Sequence, residues 1–262
     1  MFKFYFEKPN LTSETGVYVV PGFKTKELAS PAEQYIKALN EKFSNKESFS
    51  TNTLESSTNS STTNPTNESF IVKESSNTMF DNLYKELIRS YTKAVSFYLL
   101  NNNQYRHWAK NWNILKDNIE KRDLKVQRLS VDDKDVAYTQ NKGELLCFRW
   151  KDETGYILKD VFVYVVLHEL THQAFPKTFI GHASPFPEML SILCVAGFEL
   201  QLFDLSKIPK QTVFSNNQPI TSRSSLRDEI LSGIEILKQY NTSVESQDYY
   251  NKLISVVYEK SK

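Results

Sequence analysis

The chain has 262 residues and carries 32 Lys and Arg against 31 Asp and Glu, a formal charge of +1. That balance argues against a nucleic-acid binder working through bulk charge, and leaves no overall field towards an anionic membrane or an acidic substrate. Apolar residues make up 40%, with 17 Phe and 14 Tyr to build a core, and two cysteines are too few for a disulfide scaffold or a Cys-rich zinc finger.

The opening MFKFYFEKPNLTSE contains no apolar run of signal-peptide length, and the most apolar stretch, Val161–Leu167, is far too short to span a bilayer. Together with thiols that suit a reducing compartment, this predicts an intracellular protein, cytoplasmic or nuclear, without a membrane partner.

Gly16–Phe23 reads as a strand ended by Pro21-Gly22. Ser30, Pro31 and Glu33 form a capping-box pattern that opens a helix towards Phe43. From Ser50 to Ser69, 16 of 20 residues are Ser, Thr or Asn. Such a stretch buries too little apolar surface to offset its ordering entropy, so residues 43–78 are expected to be a disordered linker between an N-terminal segment, 1–42, and a main domain, 79–262.

After the linker, Phe80, Leu83, Leu87, Tyr91 and Val95 recur at helical spacing and predict a helix over Met79–Leu100. A second helix is expected over His107–Arg122. A short strand follows at Leu124–Leu129, and the stretch GELLCFRW at Gly143–Trp150 is the strongest strand signal. Leu158–Phe175 predicts an apolar helix. Ser184-Pro185 opens another that runs to about Phe203, and two more are expected at Arg227–Tyr240 and Ser246–Lys260.

Of four histidines, three fall in the run VVLHELTHQAFPKTFIGHASPF. His168-Glu169-Leu170-Thr171-His172 is an HExxH motif on a predicted helix, and positions i and i+4 share a face, so both imidazoles can reach one metal. Neutral imidazole suits Zn²⁺, one ion per chain. Glu169 stands beside that pair rather than in it, where a base can take a proton from an activated water. A catalytic zinc needs a third protein ligand and one open position. His182 is the leading candidate, because Pro176 stops the helix and Gly181 permits a sharp return of the backbone. Glu188 and Glu199 are the rivals, and either would give a His₂Glu site. A metzincin pattern is excluded by Phe175 and Thr178, which stand where it needs Gly and His. Tyr138, Arg149 and Tyr156 are the residues available as an oxyanion stabiliser, with nothing in the sequence to choose among them.

The stretch from HELTH to GHASPF resembles the WLM and SprT (Spartan) metallopeptidases, which pair HExxH with a downstream G-H-x-x-x-F; Gly181, His182 and Phe186 stand at those places. AYTQNKGELLCFRW is similar to the WLM branch seen in large DNA viruses. The likeness covers about Val136–Phe203. It implies that His182 is the third zinc ligand and that the fold is α+β and zincin-like, a small mixed sheet packed on the HExxH helix with additional helices. It also implies that Gly143–Trp150 is the edge strand that binds substrate backbone by β-addition.

The function expected is zinc-dependent endopeptidase activity on a protein or peptide substrate, with Glu169 as general base. Two alternatives stand beside it. One is a catalytically silent zinc-containing binding module, which a fourth protein ligand would favour. The other is a DNA-associated protease acting on DNA–protein crosslinks, which the resemblance favours and the net charge does not.

Overall fold

The computed structural model describes residues 67–120, 125–140, 144–152 and 155–262. Within them the chain is mixed α+β, with six α-helices, one three-stranded sheet and two two-stranded ribbons. The expected strand at Gly16–Phe23 and helix from Ser30 lie outside the described residues. No helix among the described residues is long and apolar enough to cross a membrane.

Helix α1 spans Asn67–Asn101, so its first turns fall within the stretch expected to be linker. Leu83, Leu87, Tyr91 and Val95 form its buried stripe, one residue per turn. Asn102 ends it. The Asn102 side chain accepts from the Gln104 amide at 3.0 Å and starts a 3-10 turn, Asn103–Trp108. The expected helix at His107–Arg122 is therefore split between that turn and helix α2, Ala109–Glu120. The Trp112 indole, donating to the Tyr105 carbonyl at 2.9 Å, fixes the junction.

Strand β1 is Lys125–Arg128, β2 is Ala137–Gln140 and β3 is Leu145–Phe148. Their order is β1-β3-β2, with β3 parallel to β1 and antiparallel to β2. This corrects the role expected of Gly143–Trp150. Its run LLCF is the central strand, paired on both sides, and an apolar run without alternation fits a strand buried on both faces. The edge beside the histidine-bearing helix is β2, whose sequence AYTQ gives too weak an apolar period to announce a strand. A small ribbon follows, β4 (Lys151–Asp152) with β5 (Gly155–Tyr156). Asp81 of α1 ties this region down. It pairs with Arg128 at 2.7 Å and accepts from the Trp150 indole at 2.9 Å and the Tyr156 hydroxyl at 3.2 Å.

Helix α3, Lys159–Gln173, runs through the centre of the molecule. Val161, Val163, Val165, Val166, Leu167 and Leu170 are all buried, and the Phe162 ring meets Tyr84, Phe148 and Trp150 at 5.1, 5.5 and 6.5 Å. A helix this apolar all round must be sheathed by other elements. Both its ends are held. At the start, Lys159 Nζ lies 3.0 Å from Asp160, whose carboxylate takes the Asp204 amide at 2.6 Å. At the finish, Asn111 and Asn118 of α2 donate to the Ala174 and Gln173 carbonyls, which no helical amide reaches.

Helix α4 spans Phe186–Glu199, shorter than expected at its C-terminus. Gln201 takes φ 55°, its amide bonds the Phe198 carbonyl, and the Leu202 amide bonds the Gly197 carbonyl. That is a Schellman ending with Gln in the place usually held by Gly. An Asn216-Asn217 turn, both residues at positive φ, joins β6 (Val213–Ser215) to β7 (Gln218–Thr221). Helix α5, Arg223–Tyr240, begins earlier than expected because Ser222 caps it, accepting the Ser225 amide at 3.2 Å. Helix α6, Val244–Lys260, is capped by Ser243 in the same way.

Helices α4 and α5 cross at Gly233. A β-carbon there would stand 2.3 Å from the Ser191 carbonyl oxygen. The obstacle is backbone, which cannot rotate aside. Gly233→Ala is expected to lower the unfolding free energy by about 3 kcal/mol, the upper end of ordinary overpacking costs. Thermal unfolding measures this, and a variant as stable as the parent would mean that the two helices do not approach so closely.

Candidate metal centre

His168 and His172 lie one turn apart on α3, both half-buried, and His182 returns to them from the loop before α4. The loop is built for that return. Helix α3 ends before Pro176, the Phe175 and Phe179 rings stack at 4.3 Å, and Gly181 takes φ +90° immediately before the third histidine. Nothing lies within 4 Å of where a Gly181 β-carbon would be, so the demand for glycine is one of backbone conformation and not of space.

His182 Nε2 stands 3.0 Å from His168 Nε2 and 3.1 Å from His172 Nε2. A ring nitrogen has one in-plane position, so it cannot make two linear hydrogen bonds at once. A single cation between the three nitrogens would satisfy all of them, and with zinc–nitrogen bonds of about 2.0–2.1 Å the observed separations are close to those of tetrahedral ligands. Phe186, the first residue of α4 and buried, sets its ring against all three imidazoles, with centroids at 5.0, 4.5 and 4.7 Å. Burial, with His182 beside it, holds the His168 imidazole down to about 4. It is therefore neutral, the form that ligates a metal.

Glu169, next to His168 on α3, is buried and meets the sheet. Its Oε2 accepts the Thr139 hydroxyl of edge strand β2 at 2.7 Å. Burial pushes the Glu169 carboxyl up to about 7, against the pull of that hydrogen bond and helped by Asp135. A divalent cation nearby would draw the value down again.

The rival ligands are elsewhere. Glu188 is exposed and accepts the Ser184 hydroxyl at 3.1 Å. Glu199 is buried and takes hydrogen bonds from the hydroxyls of Tyr98, Tyr105 and Tyr249. Among the described residues, His168, His172 and His182 form the one group of three or more potential ligands.

None of the three oxyanion candidates is brought to the histidines. Tyr138 faces Cys147, its partner across the strand pair, on the side of the sheet opposite to Thr139. Arg149 is buried and donates to the Asp133 carbonyl, and Tyr156 is bound to Asp81. Cys147 and Cys194 are buried thiols, and His107 stacks on Tyr240 at 4.0 Å. Thr139 is the contact that sequence reading missed. Its strand carried no clear alternation to mark which of its side chains faces the helix.

No protein-family model, no curated protein and no solved structure matches the chain.

Proposed function

We propose that this chain is a zinc-dependent endopeptidase of zincin-like architecture, related to the WLM and SprT (Spartan) peptidases that its motifs resemble. The observation that carries the reading is the approach of His182 Nε2 to His168 Nε2 and His172 Nε2, at 3.0 and 3.1 Å, beside a buried glutamate that is not one of the three. His168, His172 and His182 would hold the ion, and a zinc held there would act as a Lewis acid towards a carbonyl and acidify a water.

The chain's own residues divide the rest of the task. Glu169 Oε2 is occupied by the Thr139 hydroxyl, which leaves Oε1 as the oxygen to take a proton and return it to a leaving amine. Thr139 fixes the carboxylate's orientation from the edge strand. Phe186 keeps the imidazole planes in place and excludes water from behind them. The outer edge of β2 is the place for an extended substrate chain to add as a further strand, which would lay its backbone alongside Glu169. A silent zinc module would need a fourth protein ligand, and the described residues bring none to the cluster.

Metal analysis of the purified protein tests the assignment. It is expected to find about one zinc per chain. His168→Ala, His172→Ala and His182→Ala should each lose most of it, while Glu188→Ala and Glu199→Gln should retain it. Retention by His182→Ala together with loss in Glu188→Ala would sink the three-histidine assignment.

A further inference from the structure

A pocket of about 440 Å³ opens between the first turns of α5 and the end of α6, and it shares no residue with the histidine cluster. Lys210, Arg223, Arg227 and Lys262 all line it, although the whole chain carries a formal charge of only +1. Ser224, Tyr258 and Ser261 add hydroxyls, and among the described residues no Asp or Glu side chain lines the pocket.

The four cations are neutralised to different degrees. Arg223 is held by backbone alone, its Nε donating to the Ile208 carbonyl at 2.8 Å and its Nη2 to the Ser206 carbonyl at 2.6 Å. Carbonyls orient a guanidinium without cancelling its charge, so this cation is set in place and still positive. Lys210 and Lys262 are exposed and form no ion pair among the described residues. Arg227 alone has a carboxylate, Asp228 at 2.7 Å. The lining thus presents charged and neutral donors to one concave space with more cations than carboxylates beside them, which favours an anion there.

We propose that this pocket binds a small molecule carrying two or more linked phosphate groups. The chemistry asked for is several acceptor oxygens with several negative charges, which phosphates supply and Lys and Arg recognise. The volume falls within the range of small-molecule sites and exceeds what one phosphate would fill. A concave pocket on a nearly neutral protein suits such a ligand better than the length of a nucleic-acid strand, which needs an extended basic track.

The test is calorimetric titration of the full chain with inorganic phosphate, pyrophosphate and tripolyphosphate at low ionic strength. Tripolyphosphate is expected to bind saturably at one site, at least about tenfold tighter than inorganic phosphate, with affinity falling as salt is added. The double variant Lys210→Ala/Arg227→Gln should weaken it about tenfold or more while unfolding at the parent's temperature. Arg223 is left intact because it also anchors backbone. Polyphosphate can strip a metal from the histidines, but that heat would persist in the double variant and so identifies itself. Absence of saturation at millimolar tripolyphosphate would overturn the proposal, as would unchanged affinity in the double variant. A single-stranded oligodeoxynucleotide that displaces tripolyphosphate from the parent and binds more tightly would also overturn it, assigning the pocket to a strand backbone.

Discussion

Glu169→Gln is expected to lower proteolysis by roughly 10²–10⁴-fold, the usual worth of a positioned acid–base group, while zinc content and the unfolding temperature stay near those of the parent. The separation follows from the helix. His168 and His172 share a face, and Glu169 is turned by about 100° from His168 at 3.6 residues per turn. Its carboxylate is bound by Thr139 from the sheet and not by the histidines. Glutamine keeps the shape and an oxygen to accept the Thr139 hydroxyl, so the packing has no reason to change. Burial already disfavours the charge at this position, so replacing the carboxylate by an amide adds no desolvation cost. An unfolded protein is the substrate of choice, because an extended chain can add to the edge of β2. Cleavage by the Gln variant at the parent's rate would remove Glu169 from the reaction. A zinc-loaded parent that cleaves no such substrate would favour the silent binding module.

Glu199→Ala is expected to destabilise the fold by about 3 kcal/mol or more, with zinc still bound by whatever protein remains folded. Glu199 is 1% exposed and its two oxygens accept from Tyr98 on α1, Tyr105 in the following turn and Tyr249 on α6. One carboxylate at the end of α4 therefore joins elements far apart in sequence. Alanine would leave three hydroxyls without their acceptor and a cavity among them. Glutamine keeps the volume and one acceptor, so Glu199→Gln should cost only about 1–2 kcal/mol. The two substitutions also differ from the parent in pH dependence. Burial raises the Glu199 carboxyl above its ordinary value of 4.5, although the three hydroxyls pull it down. The native state thus holds a proton that the unfolded chain gives up first. The stability contributed by that proton is complete below 4.5 and is lost as pH rises through the raised native value. Denaturant unfolding of the parent should show this decline with rising pH, and Glu199→Gln should show a shallower one, the part left being that of Glu169, whose carboxyl is also raised. An equal slope in both proteins would mean that Glu199 keeps an ordinary carboxylate affinity.

Much of the candidate site was legible in the sequence because its signals are local. The HExxH spacing needs only the 3.6-residue period to put two imidazoles on one face, and α3 does so. Pro176 and Gly181 announced a helix stop and a turn, and Gly181 takes the positive φ expected of it. The apolar run LLCF reads as a strand wherever it packs. Caps were less legible, since Ser222 and Ser243 sit in Ser-rich surroundings that offer several equivalent starts.

The sequence by itself determined that three histidines and a glutamate fall close along the chain, and that α3 presents two of the histidines together. Only the tertiary structure decided which side chain is brought to those two histidines. Glu188, Glu199 and His182 were all within reach by spacing. His182 is the one that stands beside the two histidines, whereas three tyrosines from distant elements hold Glu199 and the Ser184 hydroxyl bonds Glu188. It also decided that β3 is central and β2 lies at an edge, because sheet order depends on long-range pairing and not on any strand's own composition. Thr139 meets Glu169, and cations from positions 210 to 262 meet in one pocket, for the same reason. Periodicity governs neighbours within a helix or strand, whereas contacts between elements are set by how their faces pack, and a single chain carries no local mark of that.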